Sequence, residues 1–152
     1  MEQCKDTEKI VCAMETDLGA GPVIGFGFTG SDNAREEMRK ILKPMDYINK
    51  LKSSIVDREG KQLCNEVDCV NRIDDSWAGY GVDTMPLVLE AGVPGLLLRH
   101  EDTWWDADYF HHHHTASDTI NNVNEGLLEL NLHCVLAATL LIANSDKDPR
   151  KQ

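Results

Sequence analysis

Lys9-Ile10-Val11-Cys12-Ala13-Met14-Glu15-Thr16-Asp17 is the stretch whose reading decides the fold. Ile10, Cys12 and Met14 alternate with smaller or polar positions, the two-residue period of a strand, and Gly19-Ala20-Gly21-Pro22 then marks a loop. A strand over 9–17 would carry Glu15 and Asp17 at its carboxyl end. Past the loop, Val23-Ile24-Gly25-Phe26-Gly27-Phe28-Thr29-Gly30 alternates apolar residues with glycine, which suits an extended or bulged segment approached closely by other backbone. Ser31 or Asp32 can then cap a helix from Asn33 to about Leu42, with Met38, Ile41 and Leu42 as its apolar face and Lys43-Pro44 near its stop. One or two further helical turns are expected between Met45 and Ile55.

Outward from there the signal weakens and then returns. The stretch from about 50 to 76 is charged, contains Cys64 and Cys69, and follows neither period, so it reads as a surface insertion. Gly79 to Thr84 reads as a loop, Met85 to Ala91 as a short helix with Pro86 in its tolerated first turn, and Val93 to Arg99 as a buried strand. Asn124 can cap a last helix in which Leu127, Leu130, Cys134, Ala138 and Leu141 share one buried face. Residues 146–152 read as a flexible polar tail. Strands alternating with helices predict an α/β fold, a mixed or parallel sheet flanked by helices, as one domain over 1–145.

Composition narrows the function classes. At 152 residues the chain has room for a single core, and 15 Lys+Arg against 26 Asp+Glu give a formal net charge of −11. That sign disfavours nucleic acid and anionic lipid as partners. The longest apolar stretches are interrupted by Glu90, Gly92 and Pro94 or by Glu129, Asn131 and His133, so no membrane span is expected. Five scattered cysteines without a CxxC spacing fit neither a zinc ribbon nor a dense disulfide scaffold; Cys64 and Cys69 could close a small loop in an oxidising compartment. A thiol nucleophile at Cys12 or Cys134 lacks any surrounding signature, and Cys134 falls on the predicted buried face.

Two segments can carry chemistry. His111 to His114 is an internal run of four imidazoles flanked by Tyr109-Phe110 and by Asp118, and neutral imidazole donates a lone pair to zinc at neutral pH. The competing reading is structural. Glu15 and Asp17, two apart on a strand, would project from one face at the sheet's carboxyl edge, where open α/β sheets bind ligands. They suit a divalent cation; the competing structural reading is a helix cap or a salt bridge to a nearby lysine.

Met14-Glu15-Thr16-Asp17-Leu18-Gly19, then Gly25-Phe26-Gly27-Phe28-Thr29-Gly30, Gly81-Val82-Asp83, Gly92-Val93-Pro94-Gly95 and Tyr109-Phe110-His111-His112-His113-His114-Thr115-Ala116-Ser117-Asp118-Thr119 together resemble the carboxyl-terminal half of the carboxypeptidase Q-like di-zinc metallopeptidases. The resemblance covers most of the chain in order, apart from the insertion. It implies the second half of a three-layer zinc-exopeptidase domain acting on short peptides, with two zinc ions as cofactors. By the same resemblance Asp17, the aspartate of the E-x-D motif, is a ligand to one zinc and His114 a ligand to the other. Glu15, His113 and Asp118 fall at supporting or substrate-side positions. The family also implies secretion or a lysosomal location and a tendency to form a homodimer.

The sequence departs from the family where the mechanism is decided. The remaining three ligands of the five, from an H-x-D region and an E-E pair, and the general-base glutamate have no counterpart here. Glu36-Glu37 is the only adjacent pair of that type and follows Asp17 instead of preceding it. The expectation is therefore a fragment inactive alone, without a signal peptide, whose full-length form is the enzyme. The alternative is a non-catalytic protein that binds a metal or a partner through His111–His114.

Overall fold

The computed structural model describes residues 6–17, 19, 21–50, 56, 59–62, 73–74, 82–101 and 109–150. Cys4, Cys64, Cys69, Trp104 and Trp105, and with them most of the expected insertion, lie outside the described residues. Strand β1 is Ala13–Glu15, shorter than the alternation over 9–17 predicts. Thr7–Lys9 winds into a 3-10 turn instead, and Ile10 packs with Leu87 against Ala13, Val88 and Val93. Strand β2, Val23–Thr29, is where apolar residues alternate with glycine, and its register shifts between Val23 and Gly25. Strand β3 is the two-residue Ile73–Asp74, and β4 is Gly95–His100.

The fold is α/β. Among the described residues four strands lie in the order β1-β4-β2-β3, with β1 parallel to β4, β3 parallel to β2, and the central pair β2 and β4 antiparallel, so the sheet is mixed and flanked by helices. Helix α1 is Asp32–Leu42, opened by the Ser31 hydroxyl, which accepts the Ala34 N–H at 3.1 Å. A 3-10 stretch, Lys43–Lys50, continues it and covers the first part of the turns expected between Met45 and Ile55, of which 51–55 lie outside the described residues. Helix α2, Met85–Leu89, carries its proline in the first turn, where no N–H is missed. Helix α3, Glu125–Ala143, is capped by the Asn124 side chain, which accepts the Leu127 N–H at 3.1 Å.

The main core is built by Phe26 and Phe28 of β2, Leu96 and Leu98 of β4, Met38 and Leu42 of α1, and Leu130, Cys134 and Ala138 of α3. Arg39 of α1 donates to the Ile73 carbonyl at 3.0 Å and so ties the short β3 to the helix layer. By length and composition α3 is sufficient to cross a bilayer, yet in this fold its Leu127, Leu130, Cys134 and Ala138 are buried. Behind β4 sits a buried polar bracket. His100 Nε2 donates to Asn131 Oδ1 at 2.9 Å, while Asn131 Nδ2 donates to the carbonyls of Gly21 (2.9 Å) and Leu127 (2.7 Å). One amide thereby fastens α3 to β4 and to the loop ahead of β2. In the stretch that reads as a flexible tail, Pro149 is buried and Arg150 forks onto Asp148 at 2.8 and 2.9 Å. Arg150 also donates to the Glu8 carbonyl at 2.6 Å.

Candidate metal centre

β1 ends at Glu15, and the alternation that would send Glu15 and Asp17 to one face ends with it. The two carboxylates separate. Glu15 Oε1 and Oε2 accept the backbone N–H groups of Asp83 (3.2 Å) and Thr84 (2.9 Å), which anchors the chain just ahead of α2. Three readings are open in the sequence, a cation donor, a helix cap or a salt bridge to a lysine; the contacts at Glu15 are backbone anchors to the two residues ahead of α2, whose first turn Glu15 does not reach. Asp17 is exposed, beyond the strand, in the wall of a cavity of about 280 Å³.

His112, His113, His114 and Asp118 line the same cavity, so a strand end and a loop far apart in sequence meet there. Glu15 and His111 do not line it. The histidines are presented by a helical turn, Phe110–His112, that breaks at His113, after which His114 adopts φ 56°. A left-handed conformation at a non-glycine residue is uncommon, and here it reverses the chain directly after the turn. The His113 ring stacks on His114 with centroids 3.8 Å apart and on Tyr109 at 4.8 Å, so three rings form one wall. His112 Nδ1 lies 3.0 Å from Ser117 Oγ and 3.4 Å from Asn122 Nδ2, and Asn122 Nδ2 also donates to the Ser117 carbonyl at 2.6 Å. Asn122 Nδ2 can only donate, so in that contact Nδ1 is the acceptor and the ring proton sits on Nε2.

The Tyr109 phenol is held above its ordinary value, first by burial and then by the Asp17 and Asp118 carboxylates. It stays a protonated donor beside two negative groups. Asn122 and Val123 line the cavity without having been singled out in the sequence. Asn122 enters because the 3-10 turn Ile120–Asn122 folds back toward the histidine turn, a tertiary event that local periodicity does not encode.

The donors present are chemically suited to zinc, an oxygen from Asp17 and imidazole nitrogens from the histidine turn. In number they fall short. Among the described residues no group of three or more His, Cys, Asp or Glu side chains is gathered closely enough to hold a metal ion. Among the described cysteines a thiol nucleophile has no support either, since burial pushes the Cys12 thiol up to about 12 and Cys134, on the inner face of α3, is fully buried. No family model, curated protein or solved structure matches the chain.

Proposed function

We propose that this chain supplies the second-half ligands of a carboxypeptidase Q-like zinc exopeptidase acting on short peptides, with Asp17 offered to one zinc ion and His114 to the other. The observation that supports the reading is that Asp17, His113, His114 and Asp118 line one cavity although about a hundred positions separate Asp17 from the other three. In the full centre zinc would lower the pKa of bound water and polarise the scissile carbonyl. This chain's own residues bind and orient. Asp17 gives a carboxylate oxygen, His114 an imidazole nitrogen, and Tyr109 keeps a phenolic proton available to an oxygen of bound substrate. Ser117 and Asn122 hold the His112 ring and thereby the loop. Three further ligands and a general-base glutamate must come from outside the described residues.

The test is to join this chain to an amino-terminal half carrying an H-x-D region and an E-E pair, load zinc, and follow dipeptide hydrolysis. Activity that falls by at least two orders of magnitude with Asp17→Ala and with His114→Ala is the expected result. An inactive fusion, or one indifferent to both substitutions, defeats the reading. The exposure of His111, His113 and His114 favours a second reading, a non-catalytic protein that binds metal or a partner through the cluster. Zinc titration separates the two: a half-site with two ligands should bind only weakly, whereas a standalone metal module should bind tightly and resist unfolding when loaded.

A further inference from the structure

Two polar side chains sit in the apolar interior, His100 at 1% exposure and Asn131 at 5%. Their hydrogen bonds have a fixed direction. Asn131 Nδ2 donates to the carbonyls of Gly21 (2.9 Å) and Leu127 (2.7 Å), so Oδ1 is the acceptor 2.9 Å from His100 Nε2, and the ring proton sits on that nitrogen. Gly21 carries the connection outward. It lies four positions past Asp17 and two past Gly19, and both of those line the cavity. The Pro22 carbonyl next to it accepts the N–H of Glu101, the residue after His100, at 2.9 Å. One histidine, through one amide, therefore holds the chain that carries the Asp17 side of the cavity.

We propose that His100 and Asn131 are positioning residues for the cavity, a pH-sensitive bracket that fixes the wall bearing Asp17 and Gly19 while His100 is neutral and releases it when the ring takes a second proton. The inference rests on the metallopeptidase reading only in giving that wall a zinc ligand to position. A neutral ring is satisfied by Asn131, whereas a cationic ring brings a charge and a second N–H into a site sealed from water. Burial already holds His100 toward the neutral form, and the Asn131 bond opposes this only in part. Charged neighbours do not alter the balance. Among the described residues β2 carries no ionisable group, and α3 brings Cys134 on its inner face, with Glu125, Glu129 and His133 outside the core. Arg99 and Glu101 flank the ring along its own chain, and Asp17 stands exposed at the cavity. The titration of His100 is set by burial and by Asn131, not by any of these charges.

Relief comes when the imidazolium turns toward water. Asn131 Oδ1 then loses its donor, the amide is free to rotate, and the Gly21 carbonyl no longer faces a fixed N–H. The wall is set at neutral pH and released in acid, at a pH below 6.5.

The test is ¹⁵N–¹H NMR of the zinc-free chain between about pH 8 and 4, following the Asp17, Gly19 and Gly21 amides together with the His100 ring. All three amides are expected to show an inflection at the His100 midpoint, below 6.5. His100→Gln still donates to Asn131 Oδ1 and cannot be protonated in this range, so it should abolish that inflection and leave those set by groups in the cavity itself. Asn131→Asp separates a mechanical link from a through-space field. It keeps an acceptor for His100 but has no N–H for Gly21, so the ring should go on titrating while the amides cease to follow. Asn131→Ser, uncharged and too short to bridge both partners, takes its place if that variant does not fold. A ring that stays neutral throughout, amides without an inflection at its midpoint, or an inflection that survives either His100→Gln or loss of the Asn131 amide overturns the proposal. Neither zinc nor substrate enters these readouts. An inactive fusion with an amino-terminal half would leave them standing, and a failed titration would leave the zinc ligands as proposed.

Discussion

A carboxylate that accepts two backbone N–H groups has its oxygens engaged, and Glu15 is in that position at Asp83 and Thr84. Its neighbour Asp17 holds the cavity wall instead. Removing each should therefore damage different properties. Glu15→Ala frees two N–H groups that water can partly satisfy, a cost of about 1 kcal/mol, which lowers the melting temperature by roughly 2–4 °C in a chain of this length. Its zinc affinity should equal that of the parent, whereas Asp17→Ala should weaken zinc binding with little change in melting. Thermal denaturation and zinc titration of both variants check this. A Glu15→Ala chain that melts normally but loses zinc would return Glu15 to the metal centre. The sequence motif marks both acidic residues, and what it does not tell is which one the fold uses to anchor the turn ahead of α2. That depends on α2 arriving beside the end of β1.

Elements whose ends are set by neighbours three residues away were legible, and those set by distant pairing were not. Ser31 and Asn124 cap α1 and α3 through i→i+3 bonds, and both stand out in the sequence as polar residues before apolar-periodic runs. The glycine alternation of β2 correctly signals an extended segment with an irregular register. Its antiparallel pairing with β4 joins residues some seventy positions apart and leaves no local trace. The same holds for the short β1, whose alternation runs on past the three residues that β4 pairs. Gly30, at the end of β2, offers a sharp test of this packing. A Cβ there would stand 2.7 and 2.9 Å from Cε1 and Cζ of Phe28, a ring with no solvent-exposed surface into which it could retreat. Gly30→Ala is expected to destabilise the fold by about 1–3 kcal/mol, and Ser31→Ala, which only removes the cap, by about 1 kcal/mol. Urea denaturation of the two variants gives both values. A neutral Gly30→Ala would mean that Phe28 is not fixed as described.

At the scale of the whole molecule the buried bracket of His100 and Asn131 links stability to pH. Burial holds the His100 pKa below its ordinary 6.5, only partly opposed by the hydrogen bond to Asn131. The unfolded chain then binds a proton at a pH where the folded chain does not, so stability rises with pH across that interval. The contribution is fully present above about pH 6.5 and is lost as pH falls from there toward the folded-state value, with a slope of up to ~1.4 kcal/mol per pH unit. Glu37 acts lower. Lys40 and then Lys147 hold its carboxyl below 4.5, so its share is present above that value and disappears only in stronger acid. The two windows separate in a melting-temperature profile from pH 8 to 3. A first decline beginning near pH 6.5 should be flattened by His100→Gln, which keeps a donor for Asn131 Oδ1 but cannot be protonated, while the decline below pH 4.5 persists. A profile unchanged by His100→Gln would show that the ring is already solvated or protonated in the fold. The bracket would then not be what fastens α3 to β4. In the sequence His100 is one histidine at the end of an apolar run, outside the conspicuous cluster, and only its burial against Asn131 gives it this role.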